Sequence, residues 1–482
     1  MTAVTFVDTT LRDGQMSIWA LGMRTGMMLP TLPYMDEAGF EGMEFFVPSV
    51  QIQKMIRELG ENPWEWLRLG VEQMRTPLRL TGGYRSGLTQ IPEVAGKLLV
   101  QKVIDYGVTT TRISDPWNDF GYLREEVDYL RQKGMRSVVN LIYAVSPRHT
   151  DAYFVQRAKD AAALDPYRIC FKDVGGLLTP ERARALIPKV KKAVGKVPLE
   201  FHGHCNNSFG PLNLLEAVEQ GVRCVHTAVP PLANGASNPS LFAAVQNLRV
   251  RGYECAVDER PLRHVEDHLY AVARQEGLPV GRPLEYDERQ YKHQVPGGMI
   301  SNLRHQLKTV GMEHRLDETL EEAGRVRAEF GFPIMVTPLA QFVGSQAAIN
   351  VVTGERYKQV TDEVIHYALG HWGREAQEVM DPEIRAKVLD RGRARELSSW
   401  EKWEPSLQEL RRKYGPQLSD EELILRIYGG DSAVEIARNA KNQCDYMSGS
   451  SQTLDLLRDL AKSEHRRFIS VASGDFSIKL RS

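Results

Sequence analysis

The chain has 482 residues, of which 42% are hydrophobic and 26% charged, and its formal net charge is −1. This is an ordinary globular composition, and the balanced charge implies no strongly basic surface, so we do not expect nucleic acid as a partner. No apolar run approaches the roughly 20 residues that span a bilayer, and the charged N-terminus lacks the apolar core of a signal peptide.

Eight short β-rich runs in the first half of the chain alternate with longer segments of helical period, such as Ile91–Tyr106 and Asp151–Leu164. This alternation predicts the α/β class, with a closed parallel (β/α)8 barrel (a TIM barrel) over residues 1–280. An open doubly wound sheet is the alternative, but no G-x-G-x-x-G motif follows the first run. The eight predicted strands are Val4–Leu11, Gly42–Phe46, Leu78–Gly82, Thr109–Ser114, Ser137–Ala144, Arg168–Val174, Leu199–Cys205 and Arg223–Val229.

The sequence changes character after Val280. Residues 281–482 contain few strand-like runs and many charged amphipathic ones, including Leu316–Glu329 and Asp420–Ile427. These patterns predict a second, mainly helical domain. We expect residues 448–451 and the last dozen residues to be locally loose.

Polar residues collect where the predicted barrel strands end. The active site of a parallel barrel lies at the carboxyl ends of its strands, so these residues are the candidates for chemistry. They are Arg12, Asp13 and Gly14 on strand 1, Arg112 and Asp115 on strand 4, Lys172 and Asp173 on strand 6, and His202 and His204 on strand 7.

The pair His202 and His204 is the sharpest signal in the sequence. Residues two apart in a strand project to the same face, so both imidazoles can reach one cation. Asp13 would add an oxygen ligand, giving a mixed set that suits Zn²⁺, Mn²⁺ or Co²⁺. The alternative is a pair of histidines that are only hydrogen-bonded in a polar barrel mouth.

Lys172 alternates with apolar neighbours on a strand that should be buried on both faces. A buried ammonium is costly unless it is paired or chemically altered. Three interpretations follow: a Schiff-base nucleophile, a carbamylated lysine that presents a carboxylate to the metal, or an ion pair with Asp173 or Asp13.

Arg12 and Arg112 could each hold a carboxylate or an enolate oxygen, or could form structural ion pairs. Cys205 follows the second histidine and could supply a thiol acid or a third ligand, although a buried free cysteine usually only packs. The five cysteines show no paired spacing, which predicts a reducing, cytoplasmic location. They are Cys170, Cys205, Cys224, Cys255 and Cys444.

Several separate motifs between residue 5 and about residue 357 resemble one family. Asp8-Thr9-Thr10-Leu11-Arg12-Asp13-Gly14 resembles the opening motif of the metal-dependent barrel superfamily of isopropylmalate synthase and hydroxymethylglutaryl-CoA lyase. Within it, the chain is most similar to the carboxyltransferase component of pyruvate carboxylase, oxaloacetate decarboxylase and transcarboxylase. The supporting stretches, in the family's order, are residues 62–65 (NPWE), 171–180 (FKDVGGLLTP), 295–303 (VPGGMISNL), 337–338 (TP) and 354–357 (GERY).

The resemblance implies a barrel with a funnel of C-terminal helices and a divalent metal. It implies that Arg12 lies beside the reacting carbonyl and that Arg112 helps to hold the substrate acid. Carbamylation would also resolve the buried charge of the lysine. The metal ligands that it implies are Asp13, His202, His204 and a carbamylated Lys172.

The chain departs from the family's usual residues near the substrate. Met16-Ser17 and Ala20-Leu21-Gly22 stand where members have Gln-Ser and Ala-Thr-Arg, and Phe46-Val47-Pro48 replaces Trp-Gly-Gly. Loss of polar groups disfavours substrates that need them. These substitutions predict that pyruvate is not the substrate and that a larger or less polar carbonyl compound is.

Cys205 and Asn206 stand where members of the family have Asp-Thr. We therefore count both as catalytic candidates, and the group that moves the proton stays open among Cys205, Ser208 and a bound water.

The resemblance implies a transferase that moves CO₂ between carboxybiotin and the α-carbon of a carbonyl compound. The chain has no Met-Lys-Met biotin-attachment motif, so we expect biotin on a separate carrier protein, with a biotin carboxylase subunit as a further partner and a homo-oligomeric assembly. Two rivals stay open: a biotin-independent lyase, aldolase or decarboxylase with the same enolate chemistry, and a catalytically silent scaffold protein.

Overall fold

The structure, a computed structural model, describes residues 3–85, 91–442, 468–473 and 476–481. Cys444 and residues 448–451 lie outside this described part. Eight parallel strands pair in chain order and close into a barrel, as predicted, so the open doubly wound sheet is excluded. The strands are β1 Thr5–Asp8, β2 Gly42–Phe46, β3 Leu78–Thr81, β4 Thr110–Ile113, β5 Arg136–Ile142, β6 Arg168–Asp173, β7 Leu199–Gly203 and β8 Cys224–Thr227.

The first strand ends earlier than predicted. The chain leaves β1 after Asp8, because the Asp8 carboxylate accepts hydrogen bonds from the Thr10 backbone N–H (3.0 Å) and the Thr10 hydroxyl (2.6 Å). Such local side-chain bonds compete with the strand ladder and turn the chain. Residues Thr10–Gly14 then form a wide, π-type helical turn, which carries Arg12 and Asp13.

Helices cover the outside of the barrel, and several begin at side-chain caps. Asn62, Thr150 and Thr179 each accept a hydrogen bond from a first-turn backbone N–H of the following helix. Proline occupies the first position after Asn62 and Thr179, where its missing N–H costs nothing. The helices of this part are α1 Gln15–Ile18, α2 Thr25–Met28, α3 Leu32–Glu37, α4 Pro48–Lys54, α5 Pro63–Gln73, α6 Glu93–Asp105, α7 Phe120–Gln132, α8 Asp151–Ala162, α9 Pro180–Val194, α10 Gly210–Glu219, α11 Leu241–Val250 and α12 Leu262–Glu276.

The rest of the described chain is mainly helical, as predicted. None of the described helices is long and apolar enough to cross a membrane. The C-terminal helices are α13 Arg289–His293, α14 Gly297–Thr309, α15 Leu316–Glu329, α16 Leu339–Thr353, α17 Asp362–Leu369, α18 Arg374–Val379, α19 Pro382–Leu389, α20 Gly392–Leu397, α21 Leu407–Tyr414, α22 Asp420–Gly429 and α23 Ala433–Asn439.

The expectation that the last dozen residues are loose was wrong. Those of them that the structure describes belong to two antiparallel strands, β9 Phe468–Ser473 and β10 Phe476–Arg481, in which Val471 pairs with Ile478. Apolar and polar residues alternate along β10 with the period of a strand, which is a sequence signal for that strand, whereas β9 shows no such alternation.

Two large apolar clusters hold the molecule together. One fills the barrel and the layer between its strands and helices, and it also includes Ile424, Leu425 and Tyr428 of α22. The other lies among the C-terminal helices and includes Trp117 from the loop after β4. The division of the chain at residue 280 therefore stays a prediction, because each part contributes residues to the core of the other.

Candidate active site

Asp13, His202 and His204 converge at the top of the barrel. Asp13 Oδ2 lies 3.0 Å from Nε2 of each histidine, and the two Nε2 atoms are 3.1 Å apart. Donor atoms around one ion with bonds of about 2.1 Å are separated by about 3 Å. All three residues are buried and can hold a single cation. The two histidines thus share one face of the chain, as their spacing predicted.

Asp13 is ionised, as a metal ligand must be. Burial alone would raise its pKa, but the charge of Arg12 and the contacts with His204 and His202 outweigh burial and hold the pKa well below its usual range. The turn that carries Asp13 packs closely against the chain after β8. A Cβ atom at Gly14 would lie 2.8 Å from the Leu232 carbonyl oxygen, so this close approach requires glycine.

Lys172 lies beside the histidines. Its Cα is paired in the β6–β7 ladder with that of His202, so both residues occupy the same level of the barrel. Burial lowers the pKa of Lys172 to about 8, and the charge of Arg112 acts in the same direction. A substantial fraction of this lysine is therefore neutral amine near pH 8.

The ion-pair interpretation of Lys172 does not hold. Asp173 accepts hydrogen bonds from the backbone N–H groups of Leu177 (2.9 Å) and Leu178 (2.8 Å) instead. Within the described residues, the Lys172 amine makes neither a hydrogen bond nor an ion pair with any carboxylate. An unpaired, partly neutral amine beside a candidate metal-ligand set is open to chemical modification.

Glu44, at the centre of β2, binds both candidate arginines. It accepts from Arg12 Nε at 2.7 Å, and its other oxygen lies 2.6 Å from Arg112 Nε. Arg12 also donates to Asp13 Oδ1 at 3.0 Å. Arg112 donates from Nη1 to Asn140 at 3.3 Å, whereas its buried Nη2 has no partner among the described residues. Arg12 therefore lies at the candidate metal-ligand set, and Arg112 is held beside it through Glu44, with its Nη2 donor unpaired among the described residues.

The other two catalytic candidates are not part of the group of three candidate metal donors. The Cys205 thiol packs against Gly210, and burial raises its pKa, which makes the thiol a poor acid. Asn206 donates to the Val174 carbonyl at 2.9 Å, and its Oδ1 faces Gly297 at the start of α14. Cys205 thus packs against the barrel helix α10, and Asn206 lies between the strand ends and the C-terminal helix α14.

The residues on which the substrate prediction rests have local structural roles. Leu21 is buried in a left-handed turn, with its N–H bonded to the Gln15 carbonyl (3.1 Å). Gly22 donates its N–H to the Trp19 carbonyl at 2.8 Å in the same turn. Met16, in the short helix α1, is partly exposed. These hydrogen bonds give Leu21 and Gly22 a part in the packing of the loop.

Four charged or titratable residues inside the barrel were not among the predicted site residues. They lie on β2, β3, β7 and β8, each among apolar neighbours, and they are Glu44, Arg79, Glu200 and His226. The signal that singled out Lys172, a charge at alternating positions of a buried strand, was present for each of them.

Comparisons with known proteins agree with this geometry. Residues 3–269 match the HMGL-like family, and residues 291–465 match a family described as a conserved carboxylase domain. A pyruvate carboxylase subunit of Methanocaldococcus jannaschii is 36% identical over 394 residues, which are 81% of this chain and 69% of the relative. The 2-oxoglutarate carboxylase large subunit of Hydrogenobacter thermophilus is 30% identical, covering 88% of this chain and 66% of the relative.

A solved structure has the same fold. The carboxyl transferase domain of Rhizobium etli pyruvate carboxylase, determined with oxamate and biotin, superposes with a TM-score of 0.80 at 23% identity, over 90% of this chain and 77% of that one. The match of residues 291–465 to a carboxylase domain favours the carboxyltransferase over the lyase alternative. The names of the relatives give no support to the prediction that pyruvate is not the substrate.

Proposed function

This chain belongs to the carboxyltransferase family of biotin-dependent carboxylases, and we propose that it transfers a carboxyl group from carboxybiotin on a separate carrier protein to the α-carbon of a small 2-oxo acid. The observation that carries the proposal is the convergence of Asp13, His202 and His204 on one point, with the unpaired Lys172 amine beside them.

The donor set fits a divalent metal. Two imidazole nitrogens and one carboxylate oxygen, all buried and about 3 Å apart, match the ligands and spacing that Zn²⁺, Mn²⁺ or Co²⁺ take. When bound, the metal supplies Lewis-acid polarisation of the acceptor carbonyl, which acidifies the neighbouring C–H.

Lys172 completes the proposed ligand set as a carbamate. Its neutral amine adds to CO₂ and a proton leaves, so the cation becomes an anionic oxygen donor beside His202. The lowered pKa supports this step, because only the neutral amine is nucleophilic. A carboxylate-like group also removes the cost of a buried ammonium near Arg112.

The two arginines supply positive charge near the reacting atoms. Arg12, held between Asp13 and Glu44, stabilises negative charge on the acceptor oxygen while the α-carbon is deprotonated. Arg112 offers its free Nη2 donor to the acid group of the acceptor. Glu44 orients both guanidinium groups, so we add it to the site as a positioning residue.

The chemistry balances with carboxybiotin as the second substrate. A proton leaves the α-carbon of the acceptor, a C–C bond forms to the transferred carboxyl carbon, and the N–C bond of carboxybiotin breaks. The proton ends on the ureido nitrogen. Carrier and biotin carboxylase are proposed to be separate chains, in keeping with the names of the relatives, which are themselves subunits.

The acceptor is proposed to be a 2-oxo acid, with pyruvate the first to test. The relatives named above are a pyruvate carboxylase subunit and a 2-oxoglutarate carboxylase subunit. A 2-oxo acid also presents the two groups that the site can use: a carbonyl for the metal, and a carboxylate for the arginines.

Transfer of label from the carrier tests this function. Biotinylated carrier, carboxylated with ¹⁴C-bicarbonate and then desalted, is mixed with the chain and with pyruvate, 2-oxoglutarate or 2-oxobutyrate in turn. After borohydride reduction of the product carbonyl, which prevents loss of the new carboxyl group, we expect acid-stable label with at least one 2-oxo acid, and none with His204→Ala. Label that stays on the carrier with every 2-oxo acid would refute the proposed acceptor class.

A further inference from the structure

Below the metal donors, a chain of buried polar side chains crosses the barrel interior. His202 Nδ1 lies 2.9 Å from His226 Nδ1, and His226 Nε2 lies 3.0 Å from Glu200 Oε1. Arg79 Nη1 in turn donates to both Glu200 oxygens, at 3.1 and 3.2 Å. All four residues are at most 2% exposed, so water does not satisfy these groups. These hydrogen bonds thus connect Nδ1 of His202, a proposed metal ligand, to the buried ion pair of Glu200 and Arg79.

The hydrogen bonds along this chain fix where each proton sits. Glu200, ion-paired with Arg79, can only accept, so His226 Nε2 must carry a hydrogen. The other nitrogen of a neutral His226 is then an acceptor. It receives the hydrogen on His202 Nδ1, which leaves the lone pair of His202 on Nε2. That Nε2 is the atom that faces Asp13 and His204.

The opposite tautomer would disable the site. If His226 carried its hydrogen on Nδ1, His202 would have to accept there and place a hydrogen on Nε2. That hydrogen would point at the position of the cation, and the imidazole could not bind it. The orientation of His202 and its ability to act as a ligand therefore depend on the Glu200 carboxylate, which accepts the hydrogen of His226 Nε2.

Cys170, Glu200 and His226 could themselves be grouped around a second cation. Arg79 contacts both oxygens of Glu200, and His226 Nε2 faces Glu200 directly. A cation at that point would leave a buried guanidinium without its partner, at high cost. The geometry favours a hydrogen bond between His226 and Glu200 over a cation held by Cys170, Glu200 and His226.

We infer that His226 and Glu200 are positioning residues that hold His202 in its metal-binding tautomer, with Arg79 keeping Glu200 a pure acceptor. The inference rests on the proposed metal site. Outer partners of metal-bound histidines fix ring orientation and ligand basicity, and their loss typically weakens metal binding by roughly 10–100-fold.

Substitution of His226 tests the inference. His226→Phe keeps the ring and removes both nitrogens. The matched control is His366→Phe, which breaks a similar contact between two histidines in the C-terminal helices, where His366 Nδ1 lies 2.7 Å from His371 Nδ1. Zn²⁺ dissociation constants come from chelator competition, the visible spectrum of the Co²⁺ form reports ligand geometry, and melting of the metal-free proteins reports stability.

We expect Zn²⁺ to bind His226→Phe roughly 10–100-fold more weakly than wild type, with an altered Co²⁺ spectrum, and to bind His366→Phe unchanged. Equal Zn²⁺ affinities for wild type and His226→Phe would overturn the inference, even if the variant melts lower. A wild-type chain that binds no metal would instead overturn the proposed function.

A second measurement needs no variant. In ¹⁵N-histidine NMR of the Zn²⁺-loaded wild-type chain, we expect His202 to carry its hydrogen on Nδ1 and His226 on Nε2 alone. A hydrogen on Nδ1 of His226, or none on Nδ1 of His202, would overturn the inference while leaving metal binding intact.

Discussion

At the scale of single residues, Lys172 shows most clearly how burial produces reactivity. On a buried strand its ammonium form loses hydration, which lowers the pKa of the side chain. No carboxylate among the described residues forms an ion pair with it to offset that loss. The same features that make the charged form expensive make the neutral amine available for reaction with CO₂.

We expect Lys172→Ala to lose activity, because a direct metal ligand disappears. Its metal affinity should fall by more than the roughly 10–100-fold that is typical when a residue hydrogen-bonded to a metal ligand is removed. A small carboxylic acid such as acetate should restore part of the activity by filling the vacated ligand position. In ¹³C NMR with ¹³C-bicarbonate, a carbamate signal should be present in wild type and in the control Lys192→Ala, which removes an exposed lysine of α9, and absent from Lys172→Ala. Full activity in Lys172→Ala, or no carbamate signal in wild type, would refute the modified lysine.

Asp115, after β4, makes stability depend on pH. Its Oδ1 accepts from the backbone N–H groups of Trp117 and Asp119, both at 2.8 Å, and burial raises its pKa from 3.8 to about 7. The folded state thus binds this proton more tightly than the unfolded state. The resulting stabilisation is complete below about pH 4 and is lost as pH rises through 7.

Asp115→Asn keeps the acceptor oxygen and removes the titration. We expect the free energy of unfolding of the variant, relative to wild type, to rise by on the order of 2 kcal/mol between pH 5 and pH 8. Urea unfolding of both proteins at the two pH values measures this difference. The same difference in free energy of unfolding between the two proteins at pH 5 and at pH 8 would show that Asp115 does not titrate between these pH values.

The site was only partly predictable at this scale. His202, His204, Asp13 and Lys172 stood out because each is a metal-binding or charged residue at a predicted strand end. Four further residues lie inside the barrel, where the rule that barrel interiors are apolar led away from them, and they are Glu44, Arg79, Glu200 and His226. The residues with which they form ion pairs and hydrogen bonds lie on strands distant in sequence. A local sequence pattern therefore does not show whether a buried charged residue is paired.

At the scale of elements, the strands were predictable because a parallel barrel buries both faces of each one. Short runs rich in β-branched and aromatic residues, separated by helices, predicted all eight strands in the right order. The turn at Thr10–Gly14 was not predictable from propensity, because it depends on hydrogen bonds from Thr10 to the Asp8 carboxylate.

Helix α6 packs so closely on the chain after β3 that it requires glycine. A Cβ atom on Gly96 would lie 1.9 Å from the Tyr84 carbonyl oxygen, and backbone cannot move aside as a flexible side chain can. We expect Gly96→Ala to lower the free energy of unfolding by about 1–3 kcal/mol, as overpacking generally does.

The control for this substitution is Gly392→Ala, at the first position of α20, where a Cβ atom meets nothing within 4 Å. Alanine there should be neutral or stabilise by about 0.4–1 kcal/mol. Urea unfolding compares the two variants with wild type. Equal effects of both substitutions would contradict the packing argument.

At the scale of the whole molecule, the barrel and the C-terminal helices depend on each other. Ile424, Leu425 and Tyr428 of α22 belong to the apolar cluster of the barrel, while Trp117 of the barrel donates from Nε1 to the Trp372 carbonyl at 3.0 Å in the C-terminal part. The sequence composition indicated two regions of different character. It did not indicate that a C-terminal helix, α22, packs into the apolar cluster of the barrel.

We therefore expect a fragment ending at residue 286 to expose apolar surface, to bind a hydrophobic dye and to aggregate, because it lacks α22 and α23. A fragment ending at residue 442 keeps all the residues that the structure assigns to the two large clusters within its described part, and it should fold like the full chain. Size-exclusion chromatography and dye fluorescence compare the two. A monodisperse shorter fragment that binds no dye would show that the barrel does not need these helices.

The central claim, biotin-dependent carboxyl transfer at the Asp13, His202 and His204 site, is tested most directly by decarboxylation of oxaloacetate with and without free biotin. Pyruvate release is followed through lactate dehydrogenase and NADH. We expect release above the rate without protein, which rises with biotin and falls to the protein-free rate in His204→Ala. Release above that rate that is equally fast without biotin, or that survives His204→Ala, would contradict the claim.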